Sequence, residues 1–144
     1  MTRVYFDNAA TTPIAKEVQQ AMLEAMDQLY GNPSSIHAEG RTARAAIEEA
    51  RKKVAGYLGA SIGEIFFTSG GTESNNMALK CAVRDLGIRR IISSAVEHHC
   101  ILHSLDNLEK TAEIERVTVK TDKQGQVDLK HLETLLKASG APTL

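Results

Sequence analysis

The chain has 144 residues, which is long enough for one domain with a hydrophobic core. Its 42% hydrophobic and 24% charged residues are typical of a globular protein, and its net charge of −1 gives no reason to expect nucleic acid or an anionic membrane as a partner. The first residues lack the apolar core of a signal peptide, no apolar run approaches the roughly 20 residues of a membrane span, and two cysteines make no disulfide framework, so a cytoplasmic location is predicted.

The first half of the chain predicts two helices. Thr12 is expected as the N-cap of the first helix and Pro13 as its first residue. Turn residues at 31–35 end this helix, and a long second helix is expected over roughly residues 38 to 58. The apolar stripe of the first helix consists of Val18, Met22, Ala25, Met26 and Leu29. The buried stripe of the second consists of Ile47, Ala50, Val54 and Leu58.

The second half alternates between strand and helix patterns. Strands are predicted over residues 64–68, 89–94 and 114–119. Helices are predicted over residues 72–86 and 99–108 and after an N-cap at Asp128. The apolar faces of the first and last of these helices are Leu79, Ala82, Val83 and Leu86, and Leu129, Leu132, Leu135 and Leu136. This alternation favours the α/β fold class with a largely parallel sheet and no domain boundary inside the chain.

The last four residues, 141–144, follow a helix and a turn, and an apolar run begins there. In an alternating α/β chain the next element is a strand. The sequence therefore predicts that the chain is cut before its next strand.

A glycine loop, FTSGGTES at residues 67–74, joins a predicted strand to a predicted helix. Gly70 and Gly71 allow positive φ and close approach of the backbone, and the helix N-terminus favours an anion. The loop is neither a Walker A motif nor GxGxxG, so a phosphate monoester held by neutral donors fits better than a nucleoside triphosphate. A plain turn with a capping hydroxyl is the alternative. The hydroxyl groups available to donate belong to Ser69, Thr72 and Ser74.

A second polar cluster, SSAVEHHC at residues 93–100, follows the next predicted strand. Because ligands in open α/β sheets bind beyond the carboxyl ends of the strands, this cluster and the glycine loop are expected to share one crevice. A histidine there can stack on a ring or move protons near neutral pH.

Three other interpretations of this cluster compete. Cys100 beside His99 can be a nucleophile or, more simply, a small core thiol, and His98 can be a structural residue at a helix start. A metal site is the third, but no second ligand cluster supports it, so no metal is predicted. Its ligands would be Glu97, His98, Cys100 and His103.

Four stretches in order resemble the class V aminotransferase family of fold type I, and they are most similar to its cysteine desulfurases of the NifS/IscS type. They are YFDNAATTP at 5–13, GNPSSIH at 31–37, FTSGGTES at 67–74 and SSAVEHH at 93–99. The segments between them agree in order and spacing from Val4 to about Leu136. The resemblance implies a partial three-layer α/β/α large domain with a mostly parallel sheet, truncated at its C-terminal end. Residues 1–144 would form the N-terminal segment and the start of the cofactor-binding domain.

The resemblance also implies the cofactor pyridoxal 5′-phosphate and a reaction that takes sulfur from L-cysteine, leaving alanine and a cysteine persulfide. Gly71 and Thr72 match the family's phosphate-binding pair, and His98 matches the histidine that stacks on the pyridine ring and assists proton transfer. A monoester dianion suits neutral donors at a helix N-terminus. The residues that match segments near the mouth of the active site and the dimer interface are Asn8, Asn32 and His37.

Several functional groups of the family have no counterpart in these 144 residues. The Schiff-base lysine, the aspartate against the pyridine nitrogen, the arginine for the substrate carboxylate and the acceptor cysteine would all lie after Leu144. None of the nine lysines has the desolvated setting that such a lysine needs, and Cys100 does not match the acceptor. The chain alone is predicted to be inactive. Its parent is predicted to be a homodimeric, cytoplasmic desulfurase that serves iron–sulfur cluster biogenesis or other sulfur transfer, with a sulfur-acceptor protein as partner.

Three alternatives stay open. Selenocysteine lyases and other class V enzymes share the loop and the histidine. A partial domain without catalytic function is the second, and its open sheet edge would favour pairing with other chains. A flavin- or nucleotide-phosphate-binding domain is the third; it is disfavoured because flavodoxin-like loops follow the first strand, whereas about sixty helix-rich residues precede this loop.

Overall fold

The computed structural model describes residues 3–111, 113–138 and 140–144. The chain divides into two compact units, one up to Phe66 and one from Phe67 to Leu144, and each is described by itself. The absence of an internal domain boundary stays a prediction, because a division into compact units does not show whether both belong to one larger domain. In the described residues, no helix is long and apolar enough to cross a membrane.

The N-terminal unit contains two helices and a short 3-10 turn. Helix α1 spans Lys16–Gln28, helix α2 spans Ala38–Leu58, and the 3-10 turn spans Ile62–Glu64. Helix α2 has the predicted bounds, and it begins at the N-cap His37, whose Nδ1 accepts a hydrogen bond from the N–H of Gly40 at 3.3 Å. It ends at Gly59, whose φ of +65° suits a glycine C-cap.

The predicted start of α1 is wrong. The helix begins after Ala15 with no side-chain cap, so Thr12 is not the N-cap and Pro13 precedes the helix. The backbone at Ala15 has a ψ of 145°, which keeps this segment extended. The side chain of Gln19, rather than a helical amide, donates to the carbonyl of Ile14 at 2.7 Å.

The apolar stripes predicted for the two N-terminal helices are not buried. On α1, Leu29 is half-buried and the other stripe residues are exposed, and all four predicted stripe residues of α2 are exposed. The residues that α2 does bury are Gly40, Ala43 and Ala55. A periodic stripe predicts a face that can be buried, but burial also needs an opposing surface.

Two glycines bring the loop before α2 against the start of that helix. A Cβ on Gly40 would lie 2.6 Å from the carbonyl oxygens of Asn32 and Ser35, and a Cβ on Gly31 would overlap the carbonyl group of Glu39. Backbone atoms cannot rotate away as a side chain can. A side chain at either glycine would therefore displace the loop.

We expect Gly40→Ala to lower the free energy of unfolding by about 1–3 kcal/mol, the usual cost of overpacking. Urea denaturation followed by far-UV circular dichroism measures it. Gly56→Ala is the matched control on the same helix, because a Cβ there meets no atom within 4 Å. That variant is expected to be neutral or stabilised by up to about 1 kcal/mol. Equal losses in both variants would contradict the packing argument.

The C-terminal unit combines a parallel two-stranded sheet with three helices. Its elements are α3 at Gly71–Arg84, β1 at Arg90–Ser94, α4 at His99–Lys110, β2 at Glu115–Val119 and α5 at Leu129–Lys137. In the sheet, Arg90 lies opposite Glu115 and Ser94 lies opposite Val119. The core of this unit consists of Leu79, Val83, Ile91, Leu105, Leu108 and Ile114.

Polar contacts fix two of the helices to the sheet. Arg116 of β2 donates to the carboxylate of Asp106 on α4 at 2.6 Å. Arg90 of β1 is only 5% exposed, and it donates to the carbonyl of Leu135 on α5 at 2.8 Å. The strands therefore orient α4 and α5 by side-chain contacts as well as by the apolar core.

The last residues of the chain pair with the other edge of β1. Thr143 lies opposite Arg90 in a parallel bridge. The N–H of Leu144 donates to the carbonyl of Arg90 at 3.0 Å, and the N–H of Ile92 donates to the carbonyl of Leu144 at 2.8 Å. The sequence predicts a strand as the element after the last helix, and the pairing of residues 142–144 with β1 agrees with the start of such a strand.

Most of the predicted elements of this unit are confirmed. Both later strands and all three helices are present with shifts of one or two residues at their ends. Asp128 is the N-cap of α5, and its Oδ1 accepts a hydrogen bond from the N–H of His131 at 3.0 Å.

The predicted strand over residues 64–68 is wrong. Ile65 is extended, with φ −100° and ψ 119°, but residues 65–68 belong to no strand of the described chain. An extended apolar segment becomes a strand only when a neighbouring backbone pairs with it. The predicted helix faces also extend too far, because Leu86, Leu129 and Leu136 are exposed.

Candidate functional site

The N-termini of two helices meet at one surface cavity of the C-terminal unit. The cavity has a volume of about 300 Å³, and it is lined by Gly71, Thr72, Asn75, His98 and Cys100. Gly71 and Thr72 begin α3, and His98 is the N-cap of α4. Each helix N-terminus carries a partial positive charge, so an anion is favoured at this cavity.

The start of α3 offers backbone donors to a ligand. Its first helical hydrogen bond runs from the N–H of Ser74 to the carbonyl of Gly70 at 3.1 Å, so the N–H groups of residues 71–73 have no partner inside the helix. A Cβ on Gly70 or Gly71 would meet no atom within 4 Å. Neither glycine has the positive φ that the sequence allowed for, since Gly70 is extended and Gly71 is helical. What they provide is open space in front of the amides.

Of the three hydroxyl groups predicted to donate to a phosphate, one is free. The hydroxyl of Ser69 donates to Oε2 of Glu73 at 2.7 Å. The hydroxyl of Ser74 lies 2.6 Å from that of Thr68. Among the described residues, the hydroxyl of Thr72 has no hydrogen-bond partner, so it is the one of the three that is available to donate into the cavity.

Glu73 orders the loop before α3. Its carboxylate accepts both the N–H and the hydroxyl of Ser69 at 2.7 Å. These two bonds, the backbone bond first, lower the pKa of Glu73 below its ordinary value. The carboxylate is therefore ionised at neutral pH, and it occupies the Ser69 donors that a ligand would otherwise use.

His98 is held by the first turn of α4. Its Nδ1 accepts a hydrogen bond from the N–H of Cys100 at 3.2 Å, and Sγ of Cys100 lies 3.0 Å from the same nitrogen. Asn75 of α3 donates from Nδ2 to this sulfur at 3.3 Å. The two helix starts are therefore linked through Cys100.

The structure separates the competing interpretations of the histidine cluster. His98 is the N-cap of α4, as expected if it is a structural residue at a helix start. In the described part of the chain, no group of three or more His, Cys, Asp or Glu residues is arranged to hold a metal ion. Cys100 contacts His98 rather than His99, and the ring of His99 lies near that of His103, with centroids 5.8 Å apart. Both cysteines of the chain are free thiols.

The amide side chains of Asn75 and Asn76, which support the candidate site, were not predicted from the sequence. Asn76 donates from Nδ2 to the carbonyl of Thr72 at 2.9 Å, and its Oδ1 accepts a hydrogen bond from the buried Ser104 of α4 at 2.9 Å. Asn75 lines the cavity. Asparagine has low helix propensity, so two consecutive asparagines inside a predicted helix are the signal that could have identified them.

Asn8, Asn32 and His37 lie in the N-terminal unit and are not among the residues that line the cavity. Asn8 donates to the carbonyl of Tyr5 at 3.5 Å, and Oδ1 of Asn32 accepts the N–H of Ser34 at 2.9 Å. His37 caps α2. Their role near an active-site mouth or a dimer interface stays a prediction.

The chain matches the family model of the class-V aminotransferases over residues 4–141. It therefore belongs to the class-V aminotransferase family. It is 49% identical over 136 residues to cysteine desulfurase IscS of Dictyoglomus turgidum, and 48% identical over 137 residues to cysteine desulfurase IscS of Methanosarcina thermophila. These matches cover 93% of this chain but 34% and 33% of the relatives, so the chain spans about a third of their length. The predicted resemblance to cysteine desulfurases is confirmed.

Solved structures support the same relationship. A NifS-like protein matches with a TM-score of 0.84 and 39% identity, covering 99% of this chain and 39% of that chain. SspA in complex with cysteine matches with a TM-score of 0.78 and 33% identity, covering 97% of this chain and 40% of that chain. The predicted fold class, part of the α/β fold type I domain of these enzymes, is confirmed.

We expect Glu73→Gln to speed amide hydrogen exchange at Ser69 at neutral pH, because the ionised acceptor is lost. In the wild type, protection of Ser69 should persist above the ordinary glutamate pKa and be lost as the pH falls through the lowered pKa of Glu73. Two-dimensional NMR measures both effects. Glu109→Gln on α4, an exposed glutamate without a side-chain hydrogen bond among the described residues, is the control. Equal exchange in wild type and Glu73→Gln would refute the bond.

Proposed function

We propose that this chain supplies the phosphate-binding and ring-binding part of a pyridoxal 5′-phosphate-dependent cysteine desulfurase. The observation that carries the proposal is the meeting of the α3 and α4 N-termini at one cavity, in a chain of the class-V aminotransferase family. The cofactor combines a phosphate monoester with a flat ring. The cavity offers donors suited to the first and an imidazole suited to the second.

The residues present fit the phosphate group. Free N–H groups at residues 71–73 and the hydroxyl of Thr72 are neutral donors, and the open space at Gly70 and Gly71 lets an anion approach them. Neither lysine nor arginine lines the cavity in the described chain, so the two helix N-termini would compensate the charge of the dianion. A nucleoside triphosphate, which carries more charge and a metal ion, fits this lining less well.

His98 fits the ring of the cofactor. The imidazole lines the same cavity, and its contact with the first turn of α4 orients it before any ligand arrives. When bound, pyridoxal phosphate supplies the electron sink that bond cleavage next to the amino group requires. His98 would hold the ring by stacking and exchange a proton beside it, while Gly71 and Thr72 would bind the phosphate.

We propose that the longer parent takes sulfur from L-cysteine and leaves alanine and a cysteine persulfide. Relatives that are named cysteine desulfurases and are 48–49% identical support this substrate and reaction. We also propose a cytoplasmic homodimer that passes sulfur to an acceptor protein for iron–sulfur cluster biogenesis or other sulfur transfer. In that dimer, Asn8, Asn32 and His37 would lie near the mouth of the active site.

We propose that residues 1–144 alone do not carry out this reaction. Among the described residues no lysine lines the cavity, so none of these is placed to bind the cofactor covalently. The sulfur of Cys100 is in contact with His98 and Asn75 rather than on a mobile segment. With pyridoxal phosphate and L-cysteine added, sulfide release by the 144-residue chain is expected to equal that of a protein-free blank. Repeated turnover above the blank would contradict this.

Cofactor binding tests the site directly. We expect Thr72→Val to weaken the binding of pyridoxal phosphate roughly 10- to 100-fold, the effect of losing one hydrogen bond to a charged group. Isothermal titration calorimetry measures the dissociation constants.

Thr134→Val on α5 is the matched control, because the hydroxyl of Thr134 donates within its own helix to the carbonyl of Lys130. Pyridoxal without phosphate should bind weakly to the wild type and be insensitive to Thr72→Val. Equal affinity for the two ligands would contradict a phosphate site at α3.

A further inference from the structure

We propose that the backbone N–H of Cys100 holds His98 as the neutral tautomer with its proton on Nε2. In this arrangement Nε2 is the nitrogen that exchanges protons at the cavity, and Cys100 is a positioning residue rather than a nucleophile. The role of Nε2 toward the cofactor rests on the proposed function, whereas the tautomer does not.

The direction of one hydrogen bond fixes the tautomer. The N–H of Cys100 lies 3.2 Å from Nδ1 of His98, and a backbone amide can only donate. Nδ1 must therefore present its lone pair and cannot carry a proton. In a neutral imidazole the proton is then on Nε2.

The thiol contacts agree with this direction. Sγ of Cys100 lies 3.0 Å from Nδ1 of His98 and accepts a hydrogen bond from Nδ2 of Asn75 at 3.3 Å. Because Asn75 supplies a donor to the sulfur, the sulfur does not need a proton from Nδ1. The contact between Sγ and Nδ1 is therefore compatible with an unprotonated Nδ1.

The same geometry argues against a thiolate–imidazolium pair. Such a pair needs a proton on Nδ1 that points at the sulfur. The N–H of Cys100 would then lose its acceptor, and α4 would lose the hydrogen bond of its N-cap. A cysteine and a histidine 3.0 Å apart resemble a nucleophile and its base. Here, however, the lone pair of Nδ1 accepts the N–H that caps α4 and is not available to take the thiol proton.

Two other histidines provide internal comparisons. Nδ1 of His131 accepts the N–H of Lys120 at 3.1 Å. Nδ1 of His37 lies between the N–H of Gly40, at 3.3 Å, and a carboxylate oxygen of Glu39, at 3.0 Å. His131 keeps its hydrogen bond only with the proton on Nε2, whereas His37 can keep one with either tautomer because a carboxylate is a strong acceptor. At His98 the alternative acceptor is the sulfur of Cys100, which accepts only weakly, so His98 is expected to follow His131.

Asn75 connects the residue that holds His98 to the part of the cavity that would bind phosphate. Asn75 belongs to α3, one turn after Thr72, and it lines the cavity together with His98. Its hydrogen bond to the sulfur of Cys100 connects the turn that would bind phosphate to the residue that holds the imidazole. The ring is therefore oriented relative to the phosphate site before a ligand binds.

Long-range ¹H–¹⁵N NMR of the imidazole rings tests the tautomer in the ligand-free 144-residue chain at a pH where histidine is neutral. His98 is expected to show the Nε2–H pattern of His131, and His37 a mixture of both tautomers. A protonated Nδ1, or an equal mixture, at His98 would overturn the proposal.

Variants separate the backbone amide of residue 100 from the side chains around it. Cys100→Ala, Cys100→Ser and Asn75→Ala all keep the N–H that donates to Nδ1 of His98, so each should retain the Nε2–H pattern of His98. Cys81→Ala is the control. A mixture of tautomers in Cys100→Ala or Asn75→Ala would show that the thiol or the amide side chain, rather than the helix-cap amide, holds the tautomer, and would overturn the proposal.

Alkylation by iodoacetamide at neutral pH tests the state of the thiol. Cys81, which is exposed and has no side-chain hydrogen bond among the described residues, is the internal reference. The labelling rate of Cys100 relative to Cys81 is expected not to fall in His98→Ala. A fall would show that His98 activates the thiolate and would overturn the assignment. None of these experiments uses a cofactor. A failure to bind pyridoxal phosphate would contradict the proposed function but not the assigned tautomer.

Discussion

The amide groups at the start of α3 need hydrogen-bond acceptors that the described chain does not provide. In the same unit, α4 is capped by His98 and α5 by Asp128, whereas α3 has no side-chain cap. Glu73, which could serve the helix start, instead accepts both donors of Ser69. The free backbone donors of the cavity therefore come from the start of α3, because the start of α4 on the other side is already capped by His98.

The surrounding contacts keep this uncapped turn in place. Asn76 holds the carbonyl of Thr72 and receives a hydrogen bond from Ser104 of α4, so the first turn of α3 is tied to a helix that is itself fixed to the sheet. Asn75 adds a second connection through Cys100. A binding site made of backbone amides needs such support, because its donors can be no better ordered than the turn that carries them.

The sequence predicts the fold best where local signals act alone. The α2 helix and the alternation after residue 70 follow from periodicity and caps, and they are present. The strand over residues 64–68 and the buried stripes of the N-terminal helices failed because pairing and burial depend on a neighbour that periodicity does not specify. At the candidate site, Gly71, Thr72 and His98 were predicted from their motifs, and they line one cavity, while their roles stay predictions. Two contacts at the site could not be predicted from residue spacing. Ser69 donates a hydrogen bond to Glu73, and the sulfur of Cys100 contacts His98 rather than His99, and both depend on the three-dimensional structure.

The exposed apolar stripe of α1 affects how this chain behaves in solution. Val18, Met22 and Met26 are at least 44% exposed, so water must hydrate a continuous row of methyl and thioether groups. Salts that are excluded from protein surfaces, such as sulfate and phosphate, raise the free-energy cost of that hydration. The colloidal stability of the chain is therefore tied to the Hofmeister character of its buffer, and chaotropic ions keep it dispersed where sulfate drives it to associate.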